Sequence, residues 1–312
     1  MQELTETKTS KKKSNSLWRD ATRYLFRQRS AILGMVILGT MVLLAIFAPL
    51  IATHSPTLSM LDLPEEAALG VKRRTPPCIH LLGCPEEQPQ HLLGLDSNVR
   101  DLFSRIIYGS RYSLYIGFAS VGFAIVIGST LGAMASYIGG WVDNIIMRVM
   151  DVLLAFPSLL LAIAIVTVLG PGLVNALLAI GIVSIPHYAR VMRASVISVK
   201  ERDFVTADRA LGVSSTRILF NRILPNAITP LIVQGTLGIA TAILDAAALS
   251  FLGLGAQPPT PEWGTMLGAE RNQVFTSPHL VFFPGVAIML VVLSFNLLGD
   301  GMRDALDPRL NR

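Results

Sequence analysis

The sequence predicts an all-α, polytopic membrane protein with six transmembrane helices, and three observations carry that prediction. Hydrophobic residues make up 52% of the 312 and charged residues 15%, with a mean hydropathy of +0.55. Soluble chains carry about a quarter charged residues. The apolar residues are also gathered into blocks on the scale of a bilayer span, about 20 residues each. Finally, the basic residues cluster before the first block and between the fourth and fifth, as cytoplasmic segments do. Membrane orientation thus accounts for the net charge of +5 and the pI near 9.4, and no nucleic-acid partner is expected.

Residues 1–30 are polar and hold Lys8, Lys11, Lys12, Lys13, Arg19, Arg23, Arg27 and Arg29, which predicts a cytoplasmic N-terminal segment. The apolar run 31–52 is longer than a signal-peptide core of about 7–15 residues and shows no obvious cleavage site. It is expected to be a retained first transmembrane helix. The extracytoplasmic segment 53–112 follows. Its six basic residues do not upset the orientation, because long loops translocate largely regardless of charge. Within it, Cys78 and Cys84 are separated by five residues, with Gly83 beside the second. They are expected to close a small disulfide loop in an oxidising exterior. Free thiols, or a metal held with His80 and His91, are the alternatives; no metal site is assigned. At Asp101–Tyr112, Leu102, Ile106 and Ile107 alternate with Asp101, Arg105 and Arg111, predicting an amphipathic helix on the outer membrane face.

The remaining spans are drawn at Leu114–Tyr137, Ile145–Leu169, Val174–Ile185 continuing toward Val191, Ile228–Phe251 and Leu280–Leu298. Together they make a five-helix core, 113–300, before a cytoplasmic tail, 301–312, holding Arg303, Arg309 and Arg312. Gly128, Gly132, Ser136 and Gly140 recur every fourth residue, a spacing that lets helix backbones approach. Arg148 and Asp151 are expected to pair, and Pro157 to bend the third span. Asp245, inside the fifth span, is a candidate for the translocation pathway or for a structural hydrogen bond.

Among these blocks lies one polar island, 188–226, with Arg190, Arg193, Lys200, Arg202, Arg209, Arg217 and Arg222. Phe204, Ala207, Asp208 and Leu211 fall at i, i+3, i+4 and i+7, on one side of a helix. Gly212 suits the left-handed residue that closes it. Ser214 is expected to cap a second helix, Ser215–Leu224, that stops before Pro225. Two short helices hinged at a glycine suggest a docking surface; a solvated connection between spans is the alternative.

No G-x-x-x-x-G-K-[ST], H-E-x-x-H or C-x-x-C is present, and no nucleophile–base pair lies in a span. The chain is therefore expected not to be an enzyme and to hold no cofactor of its own.

Several blocks resemble one family, the second permease subunits of the dipeptide/oligopeptide/nickel ABC importers. Thr206-Ala207-Asp208-Arg209-Ala210-Leu211-Gly212, followed by Ile223-Leu224-Pro225-Asn226, resembles the EAA loop, with Thr206 and Asp208 in place of the usual glutamate and alanine. The other blocks are His91–Asp96, Arg100–Arg105, Tyr108–Leu114, Gly140–Asp143, Asp151–Pro157, Ala248–Gly255, Glu262–Leu267 and Asn296–Arg309. Leu95 and Val99 replace the family's usual threonine and glycine, and Asp245 stands where glutamate is common. The cysteine insert lies outside the family pattern.

The resemblance implies a type I ABC importer permease fold in the bacterial inner membrane, with both termini cytoplasmic. It implies a second homologous permease, two ABC ATPase subunits that bind ATP and Mg, and an extracytoplasmic solute-binding protein. Phe204, Ala207, Asp208, Arg209, Leu211, Gly212, Arg217, Arg222 and Pro225 would then couple to an ATPase, and Arg100 and Trp263 would meet the binding protein. Peptides are the expected cargo and a nickel or other metal chelate the alternative. An ATP-independent secondary transporter is the reading from a different class, but no internal repeat of that kind is found.

Overall fold

The computed structural model describes residues 22–63, 71–85 and 90–306. Most of the N-terminal basic cluster, and Arg309 and Arg312, lie outside the described residues. Helix α1 (Arg29–Ile46) is the first span, extended by a short turn of helix, α2 (Ala48–Ile51), with Pro49 in its first turn. Helix α3 (Leu102–Ile138) is the longest and carries the second span. At 1.5 Å per residue, its 37 residues reach about 55 Å, well beyond a hydrocarbon core of about 30 Å. The expected surface helix at Asp101–Tyr112 is therefore no separate element. It is the N-terminal end of α3, and Leu102, Arg105 and Ile107 are buried there rather than laid on lipid.

The third span is broken. Helices α4 (Gly140–Leu154) and α5 (Ser158–Leu169) meet at an angle of 91°. Pro157 stands at the start of α5, with no N–H to continue the α4 ladder. Counting the bent pair as one crossing gives six spans; otherwise five helices are long and apolar enough. Helix α6 (Leu173–Lys200) runs unbroken through Pro186, so Tyr188 does not begin a loop. Two further long helices, α10 (Thr229–Phe251) and α12 (His279–Leu306), complete the bundle.

Its densest seam lies between α3 and α6. A Cβ on Gly132 would come within 2.2 Å of the Ala189 carbonyl oxygen, and one on Gly128 within 2.7 Å of that of Ile185. Small residues at this spacing do let the two backbones meet. Gly140 takes no part: it begins α4, with φ +56 and open space around it. Asp151 is held by Arg190 of α6 at 2.6 Å, not by Arg148 as expected, and Arg193 grips Asp143 through two 2.6 Å bonds. These two pairs explain the extension of α6. Its basic residues stay on a helix because α4 lays carboxylates alongside it.

Candidate functional site

Beyond α6, helix α7 (Asp203–Ala210) projects from the bundle and closes at Gly212, whose φ of +74 is the left-handed conformation that favours glycine. The Gly212 amide donates to the Arg209 carbonyl at 3.0 Å, and that of Val213 to Asp208 at 3.0 Å. The chain then re-enters helix at α8 (Ser215–Ile218) and passes through a π-helical turn, Leu219–Ile223, into α9 (Leu224–Ala227). The expected stop before Pro225 does not occur. Pro225 sits in the first turn of α9, where its missing N–H is tolerated. Ser214 occupies the cap position of α8 without a side-chain capping bond.

The element is anchored on one side and bare on the other. Val205, Ile218, Ile223 and Ala227 are buried. The Tyr137 hydroxyl donates to the Ser215 carbonyl at 2.6 Å, and the Lys200 ammonium to the carbonyls of Ser136 and Tyr137 at 3.3 Å. Phe204, Ala207, Arg209, Leu211 and Arg217 are exposed, Leu211 at 80%. Phe220, in the π turn, is 60% exposed but belongs to a different surface, a groove it lines with Met134 and Tyr137 of α3 and with Leu224. Asp208 and Arg222 are not separate rim charges. Arg222 Nε donates to Asp208 Oδ2 at 2.9 Å, a brace that ties the two short helices to each other.

At the opposite end of the bundle, the segments before α3 and after α10 fold into a cap. Asp96 Oδ1 accepts from the Asn98 and Arg100 amides, while its Oδ2 takes the Arg100 guanidinium at 2.8 Å. Arg105, at 3.4 Å from the same carboxylate, reaches across to the carbonyls of Pro56 and Pro259. Helix α11 (Trp263–Glu270) is capped by Glu262, which accepts from the Gly264 and Thr265 amides and from Ser113 of α3. Trp263 lies against Gly109 and donates its indole N–H to the Ile106 carbonyl at 3.0 Å.

This arrangement corrects two expectations. Trp263 is 1% exposed and Arg100 9%, so both hold the cap together from inside rather than offering a landing surface. The Cys78 and Cys84 sulfurs are bonded to each other, with Cα atoms 5.4 Å apart. Val99, where glycine is usual in the resembling family, has φ +57, a costly conformation for a β-branched residue. Asp245 is half-buried on α10, while Leu244, Ala247, Ala248 and Phe251 of the same helix line an open apolar groove of about 630 Å³ against α12 that does not include Asp245.

Residues 124–312 match the family described as binding-protein-dependent transport system inner membrane component. The chain belongs to that family. Residues 16–77 match the N-terminal transmembrane domain of oligopeptide transport permease C. The dipeptide transport system permease protein of Alkalihalophilus pseudofirmus is 49% identical over 95% of this chain and 91% of its own. A di/tripeptide transport permease of Pseudomonas aeruginosa is 47% identical over 90% and 89%. The glutathione transport permease of Pectobacterium atrosepticum is 50% identical over 70% and 73%. Among solved structures, an inward-facing methionine ABC transporter chain superposes with a TM-score of 0.55 at 18% identity, over 65% of this chain and 96% of that one. That likeness is one of fold. The protein is thus a multi-pass inner-membrane permease component of an ABC importer, its relatives are transport proteins rather than enzymes, and its family works with a binding protein and an ATPase.

Proposed function

We propose that this chain is half of the membrane pathway of an ATP-driven peptide importer, and that α7 to α9 receive the motion of an ATPase subunit. The observation that carries the reading is the bare face of Phe204, Ala207 and Leu211 on an element whose other side is fixed by Val205, Ile218 and Ile223. An amphipathic helix presenting apolar anchors is suited to lie in a groove of a partner. Arg209 and Arg217 supply its charged rim. With no phosphate-binding loop of its own, the chain borrows its energy, and ATP and Mg belong to the partner.

A second permease subunit completes the pathway. Asp245, half-buried on α10, would face that passage, with its carboxylate available to a peptide ammonium group. On this reading both termini are cytoplasmic, 53–112 is extracytoplasmic, and the binding protein lands on the outer surface of 91–112 and 257–272. The relatives named for dipeptides, di/tripeptides and glutathione make peptides the cargo class.

A single cysteine at Leu211 tests the docking face, since both native cysteines are bonded to each other. In the assembled complex, Leu211→Cys should cross-link to an ATPase subunit and not to the binding protein. An assembled complex with no such cross-link would remove the proposal.

A further inference from the structure

One cluster in the outer cap has no part in the coupling reading. His54, just past α2, His91, in the loop after the cysteine insert, and Asp101, at the start of α3, converge from three separate segments. One ligand atom from each lies within 4.8 Å of the other two. His91 Nδ1 is 3.5 Å from Asp101 Oδ1, and His54 Nδ1 is 3.9 Å from Oδ2. The two imidazole rings stand 5.4 Å apart and are tilted by 47°. We propose that these three residues form a divalent-metal site, filled by Zn²⁺, which staples the outer end of the first span to the start of the second.

The imidazole–carboxylate distances of 3.5 and 3.9 Å already bring the three donors together, and His54 Nδ1 would exchange its 2.9 Å contact with Thr53 Oγ1 for the ion. Two ligands of one tetrahedral zinc, each about 2.0–2.2 Å from it, stand roughly 3.3 Å apart. The cluster reaches that geometry by contracting from separations of up to 4.8 Å. Two histidines and a carboxylate are also a donor set that zinc accepts, with a fourth position left for water. His54, with 20% of its side chain exposed, gives that position access from outside, while the side chains of His91 and Asp101 are buried.

The supporting shell is already built. Asp101 Oδ2 accepts from the Ser104 amide at 2.8 Å, the Ser104 hydroxyl at 2.7 Å and Thr53 at 3.3 Å, which orients the carboxylate and turns Oδ1 toward His91. His91 is fixed by a pair of backbone hydrogen bonds to Cys78, at 2.9 and 3.0 Å, and Cys78 is bonded to Cys84. The disulfide loop thereby holds one ligand in place, and the His54 amide bonds to Ser104 at 3.0 Å, holding another.

The test uses the full chain in detergent, purified on a tag without histidine and stripped with a chelator. Titration with Zn²⁺ should saturate at one ion per chain and raise the Tm, and Co²⁺ should give the visible absorption of a four-coordinate site. His54→Ala, at a partly exposed position, should keep the helical circular-dichroism spectrum and weaken Zn²⁺ at least about tenfold. His80→Ala, on the disulfide loop, should bind as the parent does. Absence of saturable binding, or binding that His54→Ala leaves unchanged, would overturn the site and leave the cluster as a bare histidine–carboxylate contact.

Discussion

Replacing Gly212 by valine isolates what the hinge contributes. Gly212 holds φ +74, and a Cβ built there meets nothing within 4 Å. No clash in this chain therefore enters the cost. What remains is the left-handed conformation itself, about 1–2 kcal/mol for an L-residue and more for a β-branched one. Since about 1.4 kcal/mol is a factor of ten in a conformational equilibrium, the native hinge should lose its preference over competing geometries by roughly five- to thirtyfold, at the upper end for valine. Val205, Ile218 and Ile223 keep their burial, so the bundle should assemble. The assay is ATPase activity of the reconstituted complex with and without loaded binding protein. Gly212→Val should lose most of the stimulation while the subunits still co-purify. Gly212→Asn should retain most of it, because asparagine tolerates the left-handed region. Parent-like stimulation in the valine variant, or an asparagine variant as damaged as the valine one, would refute the conformational argument.

Three other outcomes follow from the packing. Gly132→Leu should lower the Tm sharply or prevent purification, because its Cβ alone would meet the Ala189 carbonyl at 2.2 Å, whereas Gly122→Ala, with open space around it, should be neutral. Trp263→Ala should cost about 3–5 kcal/mol of stability as a buried aromatic truncation, read as a fall in Tm, and should free Gly109 of its contact. Asp208→Arg should weaken stimulated ATPase and the added Arg222→Asp should restore part of it. With Arg222 58% exposed, the double-mutant coupling should stay at or below about 1 kcal/mol.

Features that depend on one residue's own chemistry were legible in the sequence. Gly212 closes α7 as its position after a helical pattern demands, Pro157 breaks the third span, and Gly128 and Gly132 bring α3 and α6 together. The family blocks pointed to the membership that the comparisons bear out. Features that depend on partners distant in the chain were not legible. Arg190 and Arg193 read as loop charges because nothing local announces that Asp151 and Asp143 lie beside them. Arg148 was given Asp151 for the same reason. Arg100 and Trp263 looked like surface residues, yet Asp96 neutralises one and the bare backbone of Gly109 makes room for the other. The outer helix at 101–112 was split from the second span because its polar residues matched lipid-interface patterning. In the structure Arg105 instead turns inward, to Asp96 and two proline carbonyls. The degree of bend at Pro157 was likewise out of reach, since a proline fixes where a helix breaks but the packing of α4 on α6 fixes the angle.

The central claim is that this subunit is moved by a nucleotide-hydrolysing partner acting on α7 to α9. The direct measurement is peptide uptake into proteoliposomes holding the complete complex, with ATP inside, with a non-hydrolysable analogue, and with Leu211→Asp in this chain. Accumulation against a gradient is expected only with ATP and loaded binding protein, and little or none in the Leu211→Asp complex. Accumulation that proceeds without hydrolysis, or that the charged substitution leaves intact, would contradict it.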